Sequence, residues 1–376
     1  MTSMSNAGPN DGVLPDSNVR AVTTSLRILF LGESWWGSCA RACSAALRRG
    51  GHLVHHIDES MFVPRWQSIG GRLFRRALMP MIVRDYNAFV LKMDKQFMPD
   101  VVLVFKGTYL AGQTIRNMIG QGHFVANYFP DTSFKAHGKI LEEAIPCYSL
   151  VATTKTYHLH ELAKVLPSEK FCFIPHGFDQ DVHQKQTVTE SEQKTYGCDV
   201  SFIGTYTQKK HETLEALLGK IPRLNLKIWG NGWNQKREGK LASKIMGRAV
   251  EGQEYSKAIC SSKINLGILS GPVPHGPDSL EDEISTRTYE IPACGGFFLH
   301  ERTSEVLSLY EEGKEIACFS NFEELPQKIE YYLTHEEERK TMAEAGRERA
   351  VTSGYSYDHR MRDLTNIIQK LRGKSQ

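Results

Sequence analysis

Ser285-Thr-Arg-Thr-Tyr-Glu290-Ile-Pro-Ala-Cys-Gly295-Gly-Phe-Phe-Leu299 carries the densest local signal in the chain. A polar run containing one arginine reaches a glutamate, then a glycine pair, then an apolar run that reads as a short buried strand. A helix from Ser285 to Ala293 would present Ser285, Thr286 and Arg287 in its first turn. Free backbone N–H groups, two hydroxyls and a guanidinium at one point suit a diphosphate. Glu290, about one turn further on, is placed for the hydroxyls of an attached ribose. Gly295-Gly296 allows a tight turn from helix into strand.

In the rest of the chain, short apolar runs alternate with helical patterns. Residues 26–31 read as a strand ended by Gly32, 38–49 as a helix, and 53–57 as a strand. Strands follow at Val101–Phe105, Phe124–Phe129, Leu150–Thr153 and Phe171–Ile174, with a helix at Tyr109–Ile119. The polar segment 184–196 reads as a linker. The alternation then restarts with strands at Val200–Ile203, Leu224–Trp229, Ile264–Leu269, Phe297–Leu299 and Glu315–Phe319. Helices are expected at His211–Leu218, Tyr255–Ser261, Asn321–Tyr332, His335–Val351 and Tyr357–Leu371. The expected fold is therefore α/β, with two tandem Rossmann-like doubly wound domains facing across a cleft. Residues 25–185 form the first, 197–356 the second, and a last helix over 357–373 crosses back to the first. Residues 1–24, small and polar, read as a disordered tail.

Bulk properties exclude several classes. The chain has 376 residues, 40% hydrophobic and 24% charged, and a formal charge of +3. That length favours two domains, and the small charge does not argue for nucleic acid. No apolar run reaches a membrane span and no secretory signal is visible. Eight cysteines lack any C-x-x-C pair or zinc spacing, which fits a reducing cytoplasm. Gly32-Glu-Ser-Trp-Trp-Gly37 lacks the G-x-G-x-x-G dinucleotide fingerprint.

Ligands of open α/β sheets sit beyond the carboxyl ends of the strands. The candidate cleft wall accordingly takes in Gly32, Glu33, Trp35, Trp36, Lys106, Asp131, His176, Gly204, Lys209, Lys210, Trp229, Gly230, Asp282 and the Ser285–Gly296 stretch. Gly32, Glu33, Trp35, Trp36 and Lys106 belong to the first domain, where paired tryptophans can stack on a sugar or pack under a helix. Asp131 or His176 could deprotonate an acceptor hydroxyl. Trp229 is a slot for a nucleotide base or a core residue.

Pro99–Gly107, Phe173-Ile-Pro-His-Gly-Phe-Asp179 with His183, Asp199–Gly204 with Lys209, Lys210 and His211, and Thr286–Leu299 carry a family likeness. Over residues 26–370 the chain resembles the CgeB-like glycosyltransferases, which have the GT-B fold and are related to the large retaining nucleotide-sugar family. The resemblance implies transfer from a nucleoside-diphosphate sugar, a substrate and not a cofactor, to a glycan, lipid-linked or small-molecule acceptor. It implies a donor site on the second domain: Glu290 on the ribose, Lys210 (or its neighbour Lys209) with Arg287 on the diphosphate, and Gly204, Gly230, Ser285, Thr286, Gly295 and Gly296 around them. The family's E-x7-E pattern has Asp282 in place of its first glutamate, and Lys210 stands where arginine is more usual. No Asp-x-Asp follows a strand, so no metal is expected; the acidic run Asp278, Glu281, Asp282, Glu283 precedes a helix. Retention is inherited from the wider family. Two other readings share the scaffold: a nucleotide-sugar 2-epimerase, which would place Asp131, His176 and Asp282 at the sugar carbon, and a catalytically silent binding or coat-associated protein. The segment Arg65–Arg84, with five arginines and no acid, can cover the sheet, bind an anionic acceptor or touch an anionic membrane surface. Pro80 is expected to break any helix there.

Overall fold

The computed structural model describes residues 25–63, 69–237, 239–272 and 281–374, with side chains of 69–75 left aside. The tail 1–24, Arg65 and Asp278 lie outside the described residues.

Two parallel sheets organise the chain. The first contains β1 (Arg27–Gly32), β2 (Leu53–Asp58), β3 (Val101–Phe105), β4 (Phe124–Phe129), β5 (Leu150–Thr153) and β6 (Phe171–Phe173), in the order β2-β1-β3-β4-β5-β6. The second contains β7 (Cys198–Ile203), β8 (Leu226–Trp229), β9 (Ser262–Gly267), β10 (Phe298–Glu301) and β11 (Ala317–Phe319), in the order β11-β10-β9-β7-β8. Central strands are apolar nearly throughout, as strands covered on both faces must be: Val101–Val104 and Leu150–Thr153 are fully buried. In each sheet the strand order reverses beside the first strand, between β1 and β3 and between β7 and β9. Those switch points open a crevice at the carboxyl ends of the strands.

Helices cover both faces. On the first sheet lie α1 (Cys39–Arg49), α2 (Ile69–Phe97), α3 (Gly112–Gly120), α4 (Lys139–Ala144) and α5 (His158–Leu162). α6 (Glu190–Tyr196) joins the sheets. With the second sheet come α7 (Gln208–Lys220), α8 (Gln253–Cys260), α9 (Arg287–Ala293), α10 (Ser304–Leu309), α11 (Glu324–Thr334) and α12 (Glu336–Thr352). Finally α13 (Tyr357–Lys374) sets Tyr357, Met361, Leu364 and Ile368 into the same apolar cluster as Ile28 and Phe30 of β1 and Leu47 of α1. The chain crosses at a short parallel bridge between Phe178 and Ser356. Gly177 is required there, because a Cβ would lie 2.8 Å from the Tyr355 carbonyl oxygen.

Two local expectations need correcting, and the linker gains an element. The linker 184–196 contains a helix, started by a capping box in which Thr189 and Glu192 satisfy each other's backbone N–H groups. Pro80 does not break α2, which runs through it; the proline sits on an exposed face and removes a single backbone hydrogen bond. The helix of the Ser285–Leu299 stretch begins at Arg287 and not at Ser285, and Thr286 makes no side-chain cap.

Candidate active site

A cleft of about 710 Å³ lies where the carboxyl ends of the two sheets face each other. From the first domain it is lined by Glu33, Trp35, Glu59, Lys106, Asp131, His137, Lys155 and His176. From the second come Gly204, Lys210, Gly230, Tyr255, Asp282, Ser285, Thr286, Arg287 and Glu290. Thirteen expected side chains and glycines are thus brought to one cavity from segments spread over the whole sequence.

The second-domain wall is built around two buried cations. Arg287, 8% exposed, donates from Nη1 to the Ile203 carbonyl at 3.0 Å and from Nη2 to the Ile268 carbonyl at 2.8 Å. It therefore straddles β7 and the residue just beyond β9, at the switch point. Its Nε is buried without a partner. Lys210, 4% exposed, donates from Nζ to the Thr205 carbonyl at 3.2 Å and to Ser270 Oγ at 3.1 Å. Neither cation has a carboxylate in ion-pair range among the described residues. Burial, and next the charge of Arg287, pull the Lys210 ammonium from 10.5 to about 7. Two buried charges that hydrogen-bond only to neutral oxygens are a site for an anion.

Glycines make room for this arrangement. A Cβ on Gly204 would stand 2.3 Å from Arg287 Nη1, and one on Gly230 would stand 2.0 Å from the Gly204 carbonyl oxygen. These two residues let the loops after β7 and β8 close over the guanidinium.

Glu290 lies beside the cations. Its Oε2 accepts from Tyr255 Oη at 2.7 Å, and its Oε1 lies 4.0 Å from His183 Nε2. The Asp179 backbone N–H donates to His183 Nδ1 at 2.9 Å, so the histidine proton sits on Nε2, toward Glu290. Ser285 Oγ is buried and unpartnered. The loop Val250–Gly252 closes the cavity next to these groups.

On the first-domain side, Asp131 Oδ2 takes Lys106 Nζ at 2.7 Å and His137 Nε2 at 2.8 Å. Burial alone would raise its carboxyl; the His137 hydrogen bond and the Lys106 charge outweigh this and hold it below the usual carboxylate range. Lys106 itself adopts φ 64°, a left-handed conformation that disfavours a side chain and is held here beside the cleft. His176 is 4% exposed, and burial followed by the Lys155 charge drives its imidazole down to about 3. Both are weak bases. Asp282 is ion-paired with Lys155 from the opposite domain. The three groups a 2-epimerase would use are therefore engaged with, or buried among, protein partners.

Six expected residues do not line the cleft. Gly32 packs tightly, with Ala40 and Phe105 about the position of a Cβ at 3.0 and 3.1 Å. Trp36 is 47% exposed; Arg41 stacks 3.6 Å from its ring, which lies over Gly252 of the second domain. Lys209 turns away to Glu301, 3.0 Å, and lines a separate 450 Å³ cavity. Trp229 is a core residue, 3% exposed. Gly295, with φ 73°, and Gly296 make the turn out of α9 and meet Arg347, Lys185, Ile259 and Asn265.

Lys155, Glu59 and His137 were missed in the sequence. Glu59 is 6% exposed, lines the cavity and makes no hydrogen bond with its carboxyl among the described residues. Burial and then the neighbouring Glu33 push it up to about 7. Its position just past β2, a strand end, was the available signal. Among the described residues no group of three His, Cys, Asp or Glu side chains is arranged to hold a metal ion. No described helix is long and apolar enough to cross a membrane.

Comparison with known structures agrees with this geometry. Sucrose-phosphate synthase of Thermosynechococcus elongatus superposes with a TM-score of 0.66 at 14% identity, over 93% of this chain and 100% of that one. A glycosyltransferase of Rickettsia africae gives 0.62 at 13%, over 92% and 98%. HepE of Anabaena, solved with UDP-glucose, gives 0.62 at 12%, over 92% and 100%. The fold is GT-B. Residues 208–366 match a family model described as glycosyl transferase-like. A search of curated proteins found no match.

Proposed function

We propose that this GT-B protein transfers a glycosyl group from a nucleoside-diphosphate sugar to an acceptor hydroxyl, as a member of the CgeB-like branch. The observation that carries the reading is the pair of buried, carboxylate-free cations, Lys210 and Arg287, at the β7/β9 switch point of a glycosyltransferase-type domain. HepE, of the same fold, binds UDP-glucose. The donor diphosphate would lie against the cations and the Ser285 and Thr286 hydroxyls, with the ribose on Glu290 and the base against Val250–Gly252.

The chemistry follows from the placement. As the bond from the anomeric carbon to the diphosphate oxygen breaks, negative charge grows on the leaving phosphate. Lys210 and Arg287 meet that charge without a metal ion; one preorganised donor of this kind contributes roughly 3 kcal/mol to a transition state. The acceptor oxygen bonds to the anomeric carbon, and its proton passes to the departing phosphate, so no strong protein base is needed. That fits the weak basicity of Asp131 and His176, and it is the reading in which configuration is retained. The acceptor would lie against Glu33, Trp35, Glu59 and Lys106.

Thermal unfolding in the presence of UDP, GDP, ADP, CDP and dTDP, for the wild type and Arg287→Ala, tests the donor site. Binding to the native state raises the transition by mass action. One diphosphate should stabilise the wild type and not the variant. If none does, or if the variant responds equally, the donor assignment is wrong.

A further inference from the structure

Asp282 and Lys155 come from different domains and meet inside the cleft, 7% and 3% exposed. Lys155 stands just past β5. Its Nζ bonds Asp282 Oδ1 and, at 2.9 Å, the Ile284 carbonyl. Its neighbour Thr156 bonds Glu305, also of the second domain. Asp282 Oδ2 has no hydrogen-bond partner among the described residues, and both Lys155 and Asp282 line the same cavity as Lys210, Arg287 and Glu290. Asp282 also lines the 450 Å³ cavity beside Lys209; a buried carboxylate held on one oxygen by an ammonium keeps the lone pairs of its other oxygen for a hydroxyl hydrogen bond.

We propose that Lys155 is a positioning residue for the donor sugar: the first domain, through Lys155, fixes the Asp282 carboxylate that reads the sugar hydroxyls of a donor bound to the second domain. This rests on the donor reading above. Aspartate is one methylene shorter than the glutamate it replaces, and a cation reaching from the facing wall holds it at a defined depth. The sugar subsite is thus completed only by both domains together, while the diphosphate subsite belongs to the second alone. A bare diphosphate and its sugar ester should therefore respond differently to the loss of Lys155.

The test compares affinities by calorimetry for three pairs, UDP with UDP-glucose, GDP with GDP-mannose and ADP with ADP-glucose, with inorganic pyrophosphate as a base-independent probe. The proteins are wild type, Lys155→Met, Lys155→Arg, Asp282→Asn and the Lys155→Met/Asp282→Asn double variant. In Lys155→Met the sugar ester of whichever diphosphate binds should weaken about tenfold relative to that diphosphate, as for a lost hydrogen bond to a charged group. Pyrophosphate affinity should stay within about threefold. Lys155→Arg should restore part of the difference. The double variant, which leaves no buried charge unpaired and so keeps the measurement possible if Lys155→Met fails to fold, should lose no more than either single change. Equal weakening of diphosphate and ester, no weakening of the ester, or additive losses in the double variant would overturn the proposal. If pyrophosphate and every diphosphate fail to bind the wild type, the donor reading falls and this proposal falls with it.

Discussion

Lys210→Met should stabilise the empty protein near neutral pH while removing its affinity for diphosphate. The ammonium is buried against neutral oxygens and next to Arg287, and it titrates at about 7 instead of 10.5. That depression is worth roughly 5 kcal/mol, at about 1.4 kcal/mol per pH unit. The sign follows from proton counting. The unfolded chain keeps the proton up to 10.5, whereas the folded chain releases it above about 7. Between those values the unfolded state binds more protons, so stability rises with pH; below about 7 the full penalty is present. Methionine carries no proton, which removes the penalty. It also loses two hydrogen bonds, to Thr205 and Ser270, of about 1 kcal/mol each. The net gain is roughly 3 kcal/mol at pH 6.5, and it should vanish by pH 10.5, where the lost bonds leave the variant the weaker protein. Urea unfolding across this range, with and without pyrophosphate, reads both effects. Pyrophosphate should stabilise the wild type and leave the variant unmoved. A variant that is less stable than wild type at pH 6.5, or that responds normally to pyrophosphate, would refute the reasoning.

Other substitutions probe separate parts of the cleft. Gly204→Ala places a methyl on Arg287 Nη1, so the guanidinium must leave the Ile203 carbonyl; pyrophosphate affinity by calorimetry should fall at least about tenfold. Tyr255→Phe removes the 2.7 Å bond to Glu290 and should weaken the nucleoside diphosphate about tenfold while sparing pyrophosphate; equal losses would move Glu290 off the ribose. Glu59 keeps its proton in the folded state up to about 7, so wild-type stability is lost as pH rises from 4.5 through 7. Glu59→Gln should therefore match wild type at pH 4.5 and exceed it by roughly 3 kcal/mol at pH 8, as urea unfolding would show; a difference independent of pH would mean that Glu59 is not held neutral by its surroundings.

The sheets were legible in the sequence because buried parallel strands are continuous apolar runs, and runs such as Val101–Phe105 and Phe124–Phe129 end where strand order predicts a site. Lys210, Arg287 and Glu290 were legible because their residue types stand out at strand and helix ends. What failed had local causes. α2 is obscured by Pro80 and by a stretch with arginines and no acid before Asp85, and α6 lies in a polar segment whose one helical signal is the Thr189-x-x-Glu192 cap. Trp229 and Lys209 have suitable chemistry but point into the core and to Glu301 respectively, and one-dimensional spacing does not give side-chain direction. Lys155 could not be found at all from its neighbours, since its meaning lies in a contact with Asp282, 127 positions away and in the other domain.

The central claim is turnover of a nucleotide sugar in this cleft. Incubating the protein with UDP-, GDP-, ADP- and dTDP-sugars, each with a mixture of neutral, amino and phosphorylated sugar acceptors, and following products by mass spectrometry, measures it directly. The expected result is release of one nucleoside diphosphate, matched by a new glycosidic product or, with water as acceptor, by free sugar, and loss of both in Arg287→Ala. Binding of that diphosphate without release from any of its sugars, or release unchanged in Arg287→Ala, would contradict it.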